Sequence, residues 1–156
     1  MPDQQPPDLP TLLAQEERLQ FDAFDHDTAW ALGTALVETA RAADLPVTID
    51  VRYGEQQVFR AALPGSELEQ ADWIRRKSRV VDELGHSSFY VGRGYAERDV
   101  DPETELDPAT YAAHGGAFPI IVRGKGRVGV VTVSGLPQQQ DHELVVRVLE
   151  ELLAKA

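Results

Sequence analysis

The side chains best suited to acid–base or metal chemistry are four histidines, His26, His86, His114 and His142, in a chain that contains no cysteine. No two of them stand at a spacing that makes a ready ligand pair, so no metal site is expected. The missing cysteines also remove thiolate ligands, cysteine nucleophiles and disulfides. His114 differs from the others because Gly115-Gly116 follows it, and glycines let a backbone come close to a ligand. Its plainer reading is a helix-end histidine resting against free carbonyls. Ser134-Gly135 lacks the first glycine of a nucleophile elbow, so Ser134 is read as a strand end. Gly135 and the free amides near Asp141-His142, at the start of the last helix, could hold an anion. The ligand-binding candidates are therefore His114, Gly115, Gly116, Ser134, Gly135, Asp141 and His142, and no catalytic residue is assigned.

Charge supplies two further groups. Carboxylates at Glu97, Asp99, Asp101, Glu103, Glu105 and Asp107 suggest calcium. A calcium loop started at Asp99, however, finds Thr104 where glycine is needed and Thr110 where glutamate is needed. A solvated acidic loop is the better reading. Trp73, Arg75, Arg76, Lys77 and Arg79 form the one basic cluster and are the candidates for an interface. Helical spacing puts Lys77 between Trp73 and Val80 or Val81, on the apolar stripe. Pairing with carboxylates of the same chain or another subunit is favoured over nucleic acid, because the net charge is -11. That charge also disfavours anionic lipid. No apolar run reaches membrane-spanning length and the first eight residues do not read as a signal peptide, so a cytoplasmic location without membrane or nucleic-acid partners is expected.

These groups must be positioned by a small set of elements. Residues 1–7 are rich in proline and polar side chains and are expected to lack regular structure. A short helix follows from Asp8 or Thr11 to about Leu19, and Gln20 to Phe24 reads as a brief strand. Ala29, Leu32, Leu36, Ala40 and Ala43 place a helix over 28–43, with Asp25 or Asp27 as its cap. Its small residues Gly33 and Ala35 suit a place between a sheet and another helix or subunit. Val47 to Tyr53 and Gln56 to Leu63 alternate around Gly54-Glu55 as a hairpin. Asp72 is read as the cap of a helix ending at Gly85, and a further helical stretch starts at His86-Ser87-Ser88. Asp107-Pro108 opens one or two helical turns that stop at His114-Gly115. Ile120 to Val122 and Val128 to Val133 flank Gly124-Lys125-Gly126 as a central hairpin, and the second run, apolar on both faces, is expected to be covered on both sides. Asp141 is read as the cap of a last helix carrying Leu144, Val145, Val148, Leu149, Leu152 and Leu153.

The motifs Gly115-Gly116-Ala117-Phe118-Pro119-Ile120, Val128-Gly129-Val130-Val131-Thr132-Val133-Ser134-Gly135-Leu136-Pro137 and Asp141-His142 resemble the haem-degrading-domain superfamily, which includes the GlcG-like and HbpS-like proteins. Asp72-Trp73-Ile74-Arg75-Arg76-Lys77 and Ala31-Leu32-Gly33 look like its branch known as an uncharacterised protein family. The likeness spans about residues 20–153. It implies an α+β, profilin-like, three-layer α/β/α fold with a five-stranded antiparallel sheet, assembly into dimers or larger homo-oligomers, and haem binding in some relatives. Residues 1–19 are then an N-terminal extension with a short helix, and 20–156 one haem-degrading-domain-like domain. The functional expectation is a binding module for haem or a small carboxylate. The alternatives are a partner-binding assembly protein without a small ligand and a weak haem-degrading enzyme.

Overall fold

A computed structural model describes residues 5–155. Residues 5–7 form no helix or strand, and the rest of the proline-rich stretch, residues 1–4, lies outside the described residues. Asp8 opens α1 (Leu9–Arg18) by accepting a hydrogen bond from the Thr11 amide at 2.9 Å, which satisfies one of the free amides of the first turn. Leu12 of this helix is fully buried, Glu16 accepts from the Ser87 amide at 3.0 Å, and Gln15 Oε1 lies 2.8 Å from His142 Nε2. Helix α4 is Ser88–Glu97 and α5 is Gln138–Ala154. Asp25 opens α2 (His26–Ala42), accepting from the Thr28 amide at 2.8 Å. The three- and four-residue spacing of Ala29, Leu32, Leu36 and Ala40 makes one face, and all four are completely buried. Gly33 is glycine for contact reasons, because a Cβ there would lie 2.4 Å from the Phe59 ring.

The two hairpins form one antiparallel sheet of four strands in the order β2-β1-β4-β3, with β1 Thr48–Tyr53, β2 Gln56–Ala62, β3 Ala117–Val122 and β4 Gly126–Ser134. Gly54 takes the positive φ of the first turn and Gly124 that of the second. Strand β4 is buried from Gly129 to Ser134 and is covered on both faces. Val131 and Val133 join Ile49, Val51, Leu32, Leu36, Val145 and Leu149 in the main core beneath α2 and α5. Val130 meets Ala117 and Val81 of α3 (Gln70–Leu84) on the other face. The result is an α+β arrangement with helices on both sides of the sheet.

Four expectations are corrected. The sheet has four strands and not five among the described residues, since the 20–24 stretch contributes a single parallel bridge, Phe21 to Val122. Phe21 and Phe24 are both buried and pack edge to face at 5.1 Å, so the segment turns into the core instead of running along β3. Helix α3 starts two residues before Asp72, and that carboxylate binds Arg75 at 2.6 Å and Arg76 at 2.8 Å rather than capping amides. Helix α5 likewise starts at Gln138, so Asp141 lies inside its first turn. The segment 108–114 is a turn followed by extended chain and not a helix. Its Ala112 amide donates to Arg76 O of α3 at 3.1 Å, which pulls the backbone out of a helical path. Gly92 of α4 packs against the same segment, with no room for a Cβ beside Ala113 O. That clamp sets where His114 emerges.

Candidate functional site

Helix α3 carries Lys77 on its inner stripe, and the side chain runs under the end of β4 with 3% exposure. Its three N–H donors are all used. Nζ donates to Val133 O at 3.3 Å, to Ser134 Oγ at 3.1 Å and to Asp141 Oδ2 at 3.1 Å. Ser134 passes its own proton on to Gln70 Oε1 at 2.6 Å. Asp141 faces inward from α5 and accepts from the Leu136 amide at 3.0 Å and the Gly135 amide at 3.3 Å. One buried cation and one buried anion thus tie α3 to the turn between β4 and α5.

Burial works against both charges. It pushes the Asp141 carboxyl up to about 6, with Lys77 and the two amides opposing the shift. It pulls the Lys77 ammonium below the usual lysine range, with Asp141 opposing. Gly116 makes room for this arrangement. Its φ is +140°, and an added Cβ would lie 2.2 Å from Val133 O and 2.9 Å from Lys77 Nζ. Gly115 donates its amide to Gln138 Oε1 at 2.8 Å, joining the segment before β3 to the start of α5.

In front of the pair lies a cleft of about 230 Å³ lined by Gln70, Trp73, Lys77, His114, Ser134, Gly135, Leu136, Gln138 and Asp141. At its mouth the exposed His114 ring stands 5.1 Å from the Trp73 ring, and the Arg76 guanidinium covers Trp73 at 4.3 Å. Burial first, then the charges of Lys77 and Arg76, hold the His114 imidazole below its usual range, so it is neutral at pH 7. A smaller cleft of about 130 Å³ lies against the same two rings and adds Arg76, Asp101, Glu103 and Tyr111. Among the described residues no group of three His, Cys, Asp or Glu side chains is placed to hold a metal ion.

Of the ligand candidates read from the sequence, His114, Ser134, Gly135 and Asp141 line one cleft, and Gly115 and Gly116 shape the backbone behind it. His142 does not join them. It is 1% exposed in the core, 4.9 Å from the Phe89 ring, with Nε2 2.8 Å from Gln15 Oε1 and Nδ1 unpartnered. Burial pulls it down to about 4, so it is neutral at pH 7. The proposed interface cluster also divides. Lys77 is interior and so cannot meet another subunit, Trp73 belongs to the cleft, and Arg75 and Arg76 pair with Asp72 of their own helix, leaving Arg79 and Arg75 outward. Gln70 and Gln138 escaped sequence reasoning because a lone glutamine carries no spacing signal. The one signal for Lys77 was a charge on an apolar stripe.

A family model described as haem degrading protein HbpS-like matches residues 24–150. A UPF0303 protein of Streptomyces avermitilis is 51% identical over 152 residues, covering 96% of this chain and 93% of that protein. Among solved structures, the Ybr137w protein superposes with a TM-score of 0.88 and 32% identity, over 95% of this chain and 88% of the other. The PduOC:heme complex superposes with a TM-score of 0.68 over 82% of this chain and 94% of the other; its 16% identity makes it similar in fold alone. Within the described residues no helix is long and apolar enough to cross a membrane.

Proposed function

The chain belongs to the HbpS-like family of haem-degrading proteins, and we propose that it is a binding module whose cleft receives a carboxylate, carried either by a small acid or by a propionate arm of haem. The observation that carries this reading is the outward-facing His114 beside Trp73, at the mouth of a cleft backed by the Lys77–Asp141 pair. In the resting site all three Lys77 N–H donors are already used, so toward a non-covalent ligand it contributes a field rather than a hydrogen bond. The donors left for a ligand are the Trp73 indole, one His114 N–H, and the side-chain amides of Gln70 and Gln138, whose oxygens are already occupied.

Haem fits this site in one respect and not in another. An unprotonated imidazole can bind haem iron, and His114 is exposed enough that it would hold the group there. The cleft, at about 230 Å³, is smaller than the roughly 300 Å³ at which drug-sized ligand pockets begin. Of a tetrapyrrole it would therefore admit one propionate arm, which Gln70, Gln138 and His114 would hold. Bound there, haem would supply redox chemistry at its iron, and this chain's part would be to hold and orient it. The reading includes homo-oligomeric assembly, which the family resemblance implies, and a cytoplasmic location, which the sequence suggests.

Titration with haemin, followed in the Soret region with and without a small acid such as lactate, tests the reading. Saturable binding that the acid competes away supports it, and absence of binding by both haemin and the acid refutes it. A partner-binding role without a small ligand is carried only by the outward Arg75 and Arg79, and their charge reversal would abolish partner capture if that reading held.

A further inference from the structure

We infer that Lys77 is a covalent capture residue: with Asp141 as its proton partner it forms an imine with a small 2-oxo acid or aldehyde entering the His114 cleft. This deepens the carboxylate-binding reading above and rests on the same cleft. Three observations support it. First, Lys77, though only 3% exposed, is among the residues that line the cleft, whose size suits a molecule of a few carbons. Second, Asp141 Oδ2 lies 3.1 Å from Nζ and Ser134 Oγ also 3.1 Å, so the amine has a proton acceptor and a hydroxyl in contact. Third, a buried ion pair is a poor way to stabilise a core, since well-packed apolar residues commonly do as well or better. The stripe of Ile74, Val80 and Val81 beside it is otherwise built that way. A lysine in that stripe, paired with Asp141 and with Gly116 packed close against Val133 O and Nζ, is better explained by chemistry than by packing.

The step balances without an oxidant or reductant. Lys77 passes one ammonium proton to the Asp141 carboxylate, and the neutral amine attacks the carbonyl carbon. A C–N bond forms, the carbonyl π pair moves to oxygen, and that oxygen takes a proton from nitrogen. Asp141 then returns its proton to the hydroxyl, the C–O bond breaks, and water leaves as the nitrogen lone pair closes the C=N bond. The product is a protonated imine, and Asp141 ends as the carboxylate it began as. Desolvation of the amine and carboxyl, described above, favours the proton exchange. The carbonyl compound's own carboxylate would lie toward His114, Gln70 and Gln138, which line the same cleft.

The chain provides an internal control, because it has only three lysines and the other two, Lys125 and Lys155, are exposed. The intact protein is incubated with pyruvate and sodium cyanoborohydride at neutral pH, then digested and mapped by mass spectrometry. Lys77 should carry the reduced adduct at least tenfold more than Lys125 or Lys155, and Asp141→Asn should lower Lys77 labelling at least tenfold while its thermal unfolding stays cooperative. Labelling of the exposed lysines alone, or none at all, overturns the inference. So does equal Lys77 labelling in Asp141→Asn. Lys77→Arg should lose the adduct. Lactate binding without any adduct would sink the imine and leave the cleft reading intact, whereas failure of both would remove the cleft reading too.

Discussion

Lys77 Nζ lies 3.1 Å from Asp141 Oδ2 with the two side chains 3% and 1% exposed, which places a cation of α3 and an anion of α5 in contact beneath the end of β4. The pair closes the back of the cleft and joins two helices that lie on opposite faces of the sheet.

Removing one partner should therefore be costly. Lys77→Met leaves the Asp141 charge buried with only two amide donors and is expected to destabilise the fold by about 3 kcal/mol. Adding Asp141→Asn to it should recover about 2 kcal/mol of that loss, because the stranded charge is gone. Urea denaturation of the single and double variants measures both figures, and simple additivity would show that the pair is not coupled.

The pH dependence of stability should contain two opposed slopes. The folded chain holds the Asp141 proton up to about pH 6, while the unfolded chain releases it near 3.8, so this group's contribution falls as pH rises through that interval. His142 titrates at about 4 when folded and near 6.5 when unfolded, so its contribution falls as pH drops from 6.5 to 4. In Asp141→Asn the stability measured by urea midpoint should rise more steeply with pH from 4 to 6 than in the wild type. In His142→Phe it should rise less steeply or fall. Parallel pH profiles in all three proteins would contradict the assignment.

Two glycine-to-alanine changes separate crowding from backbone strain. Gly116→Ala meets Val133 O and the lysine at a positive φ, and it should cost more than about 3 kcal/mol. Gly124→Ala, at φ +82° with nothing within 4 Å, should cost only about 1–2 kcal/mol. Denaturant unfolding ranks them, and equal costs would mean that the space beside Lys77 is not tight.

Asp25→Ala tests the cap of α2. The side chain accepts from the Thr28 amide and from Thr28 Oγ1, both at 2.8 Å, and its loss should cost about 1 kcal/mol with the cleft unaffected. A melting curve unchanged from wild type would place the helix start elsewhere.

Local signals carried most of the fold. The hairpins around Gly54 and Gly124 and the apolar faces of α2 and α5 were legible because turn chemistry and period are short-range properties of the chain. Asp72 and Asp141 misled because an aspartate before an apolar run reads as a cap, and only the folded chain shows each one facing a cation instead. Asp141 finds Lys77 across 64 residues, a separation no spacing rule covers. The turn at 108–114 and the lone Phe21 bridge have the same origin, since contacts with α3 and β3 override their local preferences. Lys77 was visible as an anomaly, a charge on an apolar stripe, but its role needed the partner.

A ligand site behind His114 and Trp73 has a direct optical signature. Haemin titration of wild type and His114→Ala, followed by the Soret band, tests it most directly. A saturable shift is expected in the wild type, weakened at least tenfold in the variant. Identical curves for the two proteins, or no saturable shift in the wild type together with no binding of lactate, would contradict it.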